Sequence, residues 1–214
     1  MSFWSKLKSG LRNPREALRY LALTPEEYYH LRLERMEHDV EPNNVLEKHM
    51  SKLTDIHEHL QTLYMLTVEL NLRVIVELGT GGGESTIALL EAAKQIGGRV
   101  YSLDVSPCLE AKAKIRAYEL SKYWEFIQGD DLKIEWNKPI SHLFIDTTHT
   151  YDQTIKELKK YEPLVMSGGI ITLHDIVLHP EVLQAINEYL KGRTDLHLYK
   201  YLNCNGLAVI FKRA

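Results

Sequence analysis

The pattern of hydrophobic positions along the chain changes near Asn71. Beyond it, short runs of β-branched and apolar residues, such as RVIVEL at 73–78, alternate with segments whose apolar residues recur at helical spacing. Runs of the first kind are typical of buried strands, and segments of the second kind are typical of amphipathic helices. The predicted strands are 73–78, 99–104, 124–129, 140–146, 169–175, 197–202 and 207–212, and the predicted helices are 84–96, 107–120, one within 150–165, and 180–191.

This alternation predicts an α/β fold, because strands separated by helices form a parallel sheet with helices on both faces. We expect a doubly wound, mostly parallel sheet of seven strands. The last two strands are joined by a short segment that ends at Asn205-Gly206, a pair typical of tight hairpin turns. The last strand is therefore predicted to be antiparallel.

The residues before Asn71 have a helical pattern throughout, broken by EPNN at 41–44. From Val45 to about Leu70 we predict one continuous helix with an apolar face. We divide the chain into an N-terminal helical cap, 1–70, and an α/β domain, 71–214. Packing against the sheet accounts for most of the cap, and a cover over a ligand pocket or a homodimer contact are the alternatives. The residues predicted to form the apolar face are Leu53, Ile56, Leu60, Leu63, Tyr64 and Thr67.

Composition narrows the class of protein. The chain has 214 residues and a formal net charge of -3, whereas binding to nucleic-acid phosphates requires clustered Lys and Arg, so we predict no nucleic-acid partner. No apolar stretch approaches the roughly 20 residues of a membrane span, and the N-terminus lacks a signal peptide's apolar segment. Cys108 and Cys204 lie far apart without metal-type spacing, as in reducing compartments. We predict a cytoplasmic protein without membrane contact.

A glycine-rich turn, VELGTGGGES at 76–85, follows the first predicted strand. A P-loop is excluded because no Gly-Lys-Ser/Thr follows the glycines. The dinucleotide fingerprint has its third glycine at the sixth position, and counting from Gly79 that position is Glu84. A carboxylate at this helix start would repel a pyrophosphate, which argues against a nicotinamide cofactor.

The same turn contains Glu-x-Gly-x-Gly-x-Gly, and in this it resembles the first motif of class I S-adenosylmethionine-dependent methyltransferases. The resemblance extends from about Leu72 to Lys212 and includes the terminal hairpin. It implies that Asp104, at the end of the second strand, binds the ribose hydroxyls, and that an acid in QGDDL lies near the adenine. A crevice with acidic side chains also suits a cationic sulfonium cofactor. The cofactor-binding residues implied by the resemblance are Glu77, Gly79, Thr80, Gly81, Gly83, Ser85, Asp104, Val105, Gly129, Asp130, Asp131 and Asp146.

The fourth and fifth predicted strands end in polar residues, Asp146 with His149 and His174 with Asp175. This is similar to a methyltransferase subgroup with Ile-Asp-x-x-His and Gly-Gly-x-x-x-x-His-Asp at these strand ends. It is related to the catechol O-methyltransferase group, whose metal-binding acids correspond to Asp146 and Asp175. That group has Asn after the second acid, where this chain has Ile176. The carboxylates could hold Mg²⁺, and the histidines would suit a softer divalent ion.

Methyl transfer to an alcohol or phenol needs a group that takes the acceptor's proton, and His149 and His174 are the candidates. A structural role at the strand end is the alternative for each, and Asp175 completes the predicted catalytic set. His179 is predicted to have no part in the site. No Asn/Asp-Pro-Pro-Tyr/Phe follows the fourth strand and no Pro-Cys nucleophile occurs there, which favours a small-molecule acceptor methylated at oxygen.

Three alternatives remain at this level. The chain could be a non-catalytic module that binds S-adenosylmethionine or scaffolds a partner, or an oxidoreductase with a nicotinamide cofactor. The hydroxylase branch of the same superfamily is the third, since fold resemblance does not fix chemistry.

Overall fold

The computed structural model describes residues 45–213. Most of the predicted N-terminal cap, residues 1–44, lies outside the described residues. Within the described part no helix is both long and apolar enough to cross a bilayer.

The described chain forms a seven-stranded sheet with strand order β3-β2-β1-β4-β5-β7-β6. Strands β1 to β5 run parallel to one another, and β7 is antiparallel to both β5 and β6. The predicted doubly wound fold with an antiparallel last strand is therefore confirmed. The elements are α1 (Val45–Met50), α2 (Leu60–Glu69), β1 (Val74–Leu78), α3 (Glu84–Ile96), β2 (Arg99–Asp104), α4 (Leu109–Ala117), β3 (Trp124–Gln128), β4 (Ile140–Ile145), α5 (Tyr151–Tyr161), β5 (Val165–His174), α6 (Pro180–Leu190), β6 (Leu196–Tyr201) and β7 (Leu207–Lys212), with short 3₁₀ turns at Ser121–Tyr123 and Glu162–Leu164.

Each face of the sheet has its own apolar core, because neighbouring residues of a strand point to opposite faces. On β1, Ile75 packs with the core that includes α2, α3 and α4, and Val76 packs with the core that includes α5 and α6. Leu46 of α1 and Leu63 of α2 belong to the first of these cores. The described part of the predicted cap thus shares a core with the α/β domain.

The predicted continuous helix from Val45 to Leu70 is wrong, because residues 51–59 interrupt it. This segment contacts the turn between β6 and β7: the imidazole of His59 donates to the Asn203 carbonyl at 2.9 Å, and the Cys204 thiol donates to the Asp55 carbonyl at 2.9 Å. Leu53, assigned to the apolar face, is 91% exposed, whereas Ile56 is buried. Contacts with a distant turn have replaced the regular helix.

Two further boundaries differ from the sequence prediction. Helix α4 begins at Leu109 rather than Pro107, because the Ser106 amide donates to the Asp104 carboxylate and Cys108 takes a left-handed backbone with φ of 45°. Strand β5 begins at Val165 rather than at Gly169, so it includes Gly168, which was predicted to precede it. A register shift opposite β4, with Gly168 at φ of 81°, accommodates the glycines within the strand.

Candidate functional site

The glycine turn lies at the point where the strand order reverses, between β1 and β4. Open α/β sheets bind ligands at the carboxyl ends of the strands at this point. Gly79, Gly81 and Gly83 all have positive φ, of 88°, 49° and 87°. A Cβ on Gly79 would lie 1.9 Å from the Asp146 carbonyl oxygen, so only glycine fits there. The turn is therefore in direct contact with the end of β4.

Glu77 lies beneath this turn and hydrogen-bonds to residues of α3 and β2. Its side chain is fully buried, and its carboxylate accepts hydrogen bonds from Ser85 at 2.7 Å, Thr86 at 2.8 Å and Ser102 at 2.5 Å. Burial raises the pKa of Glu77 to about 7, although the three hydroxyl donors act in the opposite direction. The sequence prediction placed Glu77 at the edge of the crevice. The structure places it, with Ser85, beneath the turn.

Asp104 lies beside the same turn at the end of β2. Its Oδ2 accepts from the Thr80 amide at 2.9 Å and the Gly81 amide at 3.1 Å, and its Oδ1 accepts from the Ser106 amide at 2.8 Å. Partial burial raises the pKa of Asp104, but these backbone donors outweigh it, and the pKa lies below its ordinary value. Asp104 is thus held ionised in the crevice. The adjacent Val105 is 67% exposed.

The two acids after β3 have different surroundings. Asp130 pairs with Lys133 at 2.8 Å near the surface. Asp131 is 8% exposed, and its carboxylate accepts from the Gln153 amide at 3.2 Å. Gly129, which precedes them, donates its amide to the Asp104 carbonyl at 2.8 Å and so ties this loop to β2.

Glu157 on α5 is a fully buried acid beside Asp131. Its Oε1 accepts from Thr147 at 2.7 Å and Gln153 at 2.8 Å, while its Oε2 has no hydrogen-bond partner in the part of the chain that the structure describes. Burial, and secondarily the charge of Asp131, raise the pKa of Glu157. The pKa of Glu157 is therefore higher in the folded protein than in the unfolded chain. The stabilising effect of the neutral carboxyl is complete at low pH, and it is lost as the pH rises from about 4.5 through the raised pKa.

Glu157→Gln is therefore expected to stabilise the protein at alkaline pH. We expect a gain on the order of 1 kcal/mol or more in the free energy of unfolding at pH 8.5, and a smaller gain at pH 5.5. Urea unfolding at both values measures it, with the exposed Glu135→Gln as matched control. An equal effect of Glu157→Gln at both pH values would contradict the assignment.

Asp146, His149, His174 and Asp175 come together where β4 and β5 end. The His149 Nε2 lies 2.8 Å from Asp146 Oδ1 and 3.1 Å from Asp175 Oδ2. The His174 Nδ1 lies 3.4 Å from Asp175 Oδ1 and 3.6 Å from Asp146 Oδ1. The sequence prediction that these four residues converge holds in the structure.

The pKa values of Asp146, His149 and His174 are each shifted in the direction that favours the charged form. The hydrogen bond that His149 donates to the Asp146 carboxylate raises the pKa of His149 above its ordinary value, against the effect of burial. Burial lowers the pKa of His174, but Asp146 and Asp175 outweigh it and the net shift is upward. Burial raises the pKa of Asp146, and the two imidazoles more than offset this.

His149 and Asp175 both have left-handed backbone, with φ of 56° and 64°. Such a conformation costs a side-chain-bearing residue on the order of 1 kcal/mol, and strained residues of this kind cluster at functional sites. The strain at these two positions is consistent with selection for the position of the side chains rather than for stability.

Comparison with known proteins gives the family of this region. Residues 76–176 match the family model described as a methyltransferase domain. These residues are a methyltransferase domain. The prediction of the class I methyltransferase fold is confirmed, and the domain spans the glycine turn, Asp104 and all four residues of the strand-end cluster.

Solved structures share the fold of the whole described chain. The O-methyltransferase TomG from Streptomyces achromogenes, involved in tomaymycin synthesis and solved with SAM, has a TM-score of 0.69 at 18% identity, covering 90% of this chain and 100% of TomG. The SAH-bound methyltransferase PaMTH1 from Podospora anserina has a TM-score of 0.67 at 14% identity, with 90% and 97% covered. The O-methyltransferase from Bacillus cereus in complex with SAH has a TM-score of 0.61 at 20% identity, with 88% and 90% covered.

His179, which was predicted to have no part in the site, lies next to His149 in the structure. The imidazole of His179 stacks on that of His149 with ring centroids 4.7 Å apart and an interplanar angle of 11°. The His179 amide donates to the Asp175 carbonyl at 2.9 Å, which closes one turn between them. The four-residue spacing from Asp175 is the sequence signal that could have revealed it.

Glu84, the residue that argued against a pyrophosphate, has partners outside the glycine turn. Its carboxylate contacts the buried His49 of α1 and lies 2.9 Å from the Lys114 ammonium of α4, which also donates to the Gly82 carbonyl at 2.9 Å. We call Glu84, His49 and Lys114 the Glu84 clamp. Burial raises the pKa of Glu84, but His49 and Lys114 outweigh it and lower the pKa to about 2. The clamp attaches α1 and α4 to the methyltransferase domain's cofactor turn.

Proposed function

We propose that the protein transfers the methyl group of S-adenosylmethionine to an oxygen atom of a small-molecule acceptor. The observation that carries the proposal is the contact between the two halves of the crevice. The glycine turn and Asp104 lie on one side, the Asp/His cluster lies on the other, and Gly79 touches the Asp146 backbone between them. A cofactor held by the first half would present its methyl group to the second.

In the first half, Asp104 is proposed to bind the ribose hydroxyls, and the residues after β3, Gly129 to Asp131, to bind the adenine. The amides of the turn from Gly79 to Gly83 approach the amino-acid part of the cofactor because the glycines have no side chains. Ionised Asp104 and Asp146 favour a cationic sulfonium ligand over a phosphate. Glu77 and Ser85 act by holding the turn.

In the second half, His149 is the better candidate for the proton acceptor. The His149 side chain is 23% exposed, whereas that of His174 is 1% exposed. His149 Nε2–H donates to Asp146, which leaves Nδ1 to take the acceptor's hydroxyl proton as the oxygen attacks the methyl carbon. The carbon–sulfur bond breaks in the same step, and the sulfur leaves as a neutral thioether. Asp175 contacts Nε2 and helps to orient the ring.

A divalent metal ion at the strand ends is a further part of the proposal. Asp146 and Asp175 would hold it, and a fit is supported by the buried Asp175 Oδ1 and His174 Nδ1, which lie 3.4 Å apart and make no hydrogen bond within residues 45–213. A bound ion would orient the acceptor's oxygen and stabilise it as an anion. Cytoplasmic location, a homodimer and a separate cap at 1–70 stay predictions.

Thermal unfolding with candidate cofactors tests the cofactor assignment. S-adenosylmethionine and S-adenosylhomocysteine at about 100 times their Kd should add about 2.7 kcal/mol, enough to raise Tm by roughly 5 °C or more, because they bind only the folded chain. NAD should leave Tm unchanged. A rise with NAD alone would support the oxidoreductase alternative and contradict ours.

The reaction is tested by following S-adenosylhomocysteine formation with a panel of phenols and alcohols. Each acceptor is paired with an amine analogue of the same skeleton as a matched control. We expect turnover with at least one hydroxyl compound and none with its amine partner. Cofactor binding without turnover on any hydroxyl compound of the panel would favour the non-catalytic module.

A further inference from the structure

The strand-end cluster has the geometry of a metal-binding site with a nitrogen ligand. One ligand atom from each of Asp146, His174 and Asp175 can be chosen so that all lie within 4.8 Å of one another. The side chains of His174 and Asp175 are 1% and 7% exposed. The Asp146 side chain is 24% exposed, so two acids and an imidazole converge at a site that is open to solvent on the Asp146 side.

The separations between the ligand atoms match those around a bound transition metal. With metal–ligand bonds of about 2.1 Å, neighbouring ligand atoms are about 3.0 Å apart at a 90° angle and about 3.4 Å apart at a tetrahedral angle. His174 Nδ1 lies 3.4 Å from Asp175 Oδ1 and 3.6 Å from Asp146 Oδ1. One cation could contact all three residues with small movements of the side chains.

Two of the three ligand atoms make no hydrogen bond within the described chain, and they lie 3.4 Å from each other. Among the described residues, His174 Nδ1 and Asp175 Oδ1 are buried polar atoms without a hydrogen bond. Leaving such atoms unsatisfied costs about 1–3 kcal/mol each, so they indicate a group that they bind. The Asp175 backbone, at φ of 64°, is also strained in the conformation that presents this carboxylate.

The hydrogen bond on the far side of His174 selects the atom that faces the acids. His174 Nε2 lies 3.2 Å from the Cys204 carbonyl, which can only accept, so Nε2 carries the proton. When a metal ion binds, Nδ1 gives up any proton that it carries and presents its lone pair to the ion. A carbonyl bonded to the outer nitrogen is the usual arrangement for a metal-bound histidine.

The nitrogen ligand, His174 Nδ1, indicates which class of metal ion the site prefers. Mg²⁺ takes oxygen ligands, whereas imidazole suits Zn²⁺, Fe²⁺ and neighbouring first-row ions. Ile176, in the position where oxygen-ligated relatives supply an amide, is 1% exposed and apolar. We propose that Asp146, His174 and Asp175 bind a first-row transition metal ion such as Zn²⁺ in preference to Mg²⁺. The metal proposal depends on the proposed function in one respect, which is that the ion would lie beside the methyl acceptor.

His149 competes with that ion. Its Nε2 lies 2.8 Å from Asp146 Oδ1, the oxygen that the ion would contact, and 3.1 Å from Asp175 Oδ2, which would remain free to orient the ring. Removing His149 should therefore leave the affinity for the metal unchanged or increase it.

The test is calorimetric titration of untagged, chelator-treated protein with Zn²⁺ and with Mg²⁺, with S-adenosylhomocysteine affinity measured in parallel. We expect one Zn²⁺ per chain, bound at least 100-fold more tightly than Mg²⁺. His174→Gln keeps an amide donor for the Cys204 carbonyl but removes Nδ1, and should lower Zn²⁺ affinity at least tenfold. His197→Gln, the same change on β6, is the matched control and should have no effect.

Equal or tighter binding of Mg²⁺, or no binding of Zn²⁺ to the parent protein, would overturn the proposal. A tenfold loss of Zn²⁺ affinity in His149→Asn would overturn the set of three ligands. If His174→Gln does not fold, the visible absorption of Co²⁺ bound to the parent protein reports nitrogen ligation, and a spectrum of purely oxygen-ligated Co²⁺ would refute it. If S-adenosylhomocysteine binds but Zn²⁺ does not, the metal inference is contradicted while the cofactor assignment of the proposed function is retained.

Discussion

Asp104→Ala is expected to abolish measurable binding of S-adenosylhomocysteine, with a loss of at least about 100-fold in affinity. Each hydrogen bond to a charged group contributes about 1.5–3 kcal/mol, and a ribose would use two of them. The substitution also removes the acceptor for the Thr80 and Gly81 amides, so the glycine turn would lose its position. Calorimetric titration measures the effect.

The matched control for this experiment is Asp152→Ala, which removes an exposed acid on α5 that pairs with Lys156. It should bind the cofactor as the parent does. Asp104→Asn keeps the size of the side chain and separates the loss of charge from the loss of packing. If Asp104→Ala binds S-adenosylhomocysteine as tightly as the parent, the ribose assignment is wrong.

His149→Asn is expected to lower kcat for methyl transfer by about 10²- to 10⁴-fold, the usual contribution of a positioned acid or base. Affinity for S-adenosylhomocysteine should stay within about twofold, because His149 lies in the acceptor half of the crevice. Asparagine is the substitution of choice because it tolerates the left-handed backbone at this position better than alanine.

Steady-state kinetics with a hydroxyl acceptor from the panel measures this loss, and His197→Asn provides the same change outside the cluster. A variant with normal kcat would show that His149 is structural and would return the role of proton acceptor to His174. A variant with weakened cofactor binding would show that the two halves of the crevice are not independent.

Strands and helices of the sheet were predictable because each has a strong local pattern. The helix at Glu84–Ile96 and the strands at Arg99–Asp104 and Leu207–Lys212 have the predicted bounds. The break at 51–59 was not predictable, because it depends on Asn203 and Cys204, which are about 150 residues away in sequence. Local periodicity carries no information about such a partner.

The candidate site was predictable where it follows from local sequence and not where it depends on distant residues. Strand-end acids and histidines could be located from sequence, since the carboxyl ends of parallel strands share one edge. The burial of Glu77 could not be predicted, because it depends on hydroxyl groups from α3 and β2 as well as on its own strand. The contact of His179 with His149 was not predicted, because it depends on how the segment after β5 folds back, and the spacing of four residues from Asp175 is a weak signal for it.

The Glu84 clamp has a consequence for where the enzyme can be cut. A fragment starting at residue 71, the boundary suggested by the sequence, would lack His49 and leave Glu84 with Lys114 as its close cationic partner. It would also uncover the apolar side of α3 that Leu60 and Leu63 now cover. We therefore expect a fragment that begins at residue 71 to be less stable than one that keeps α1 and α2.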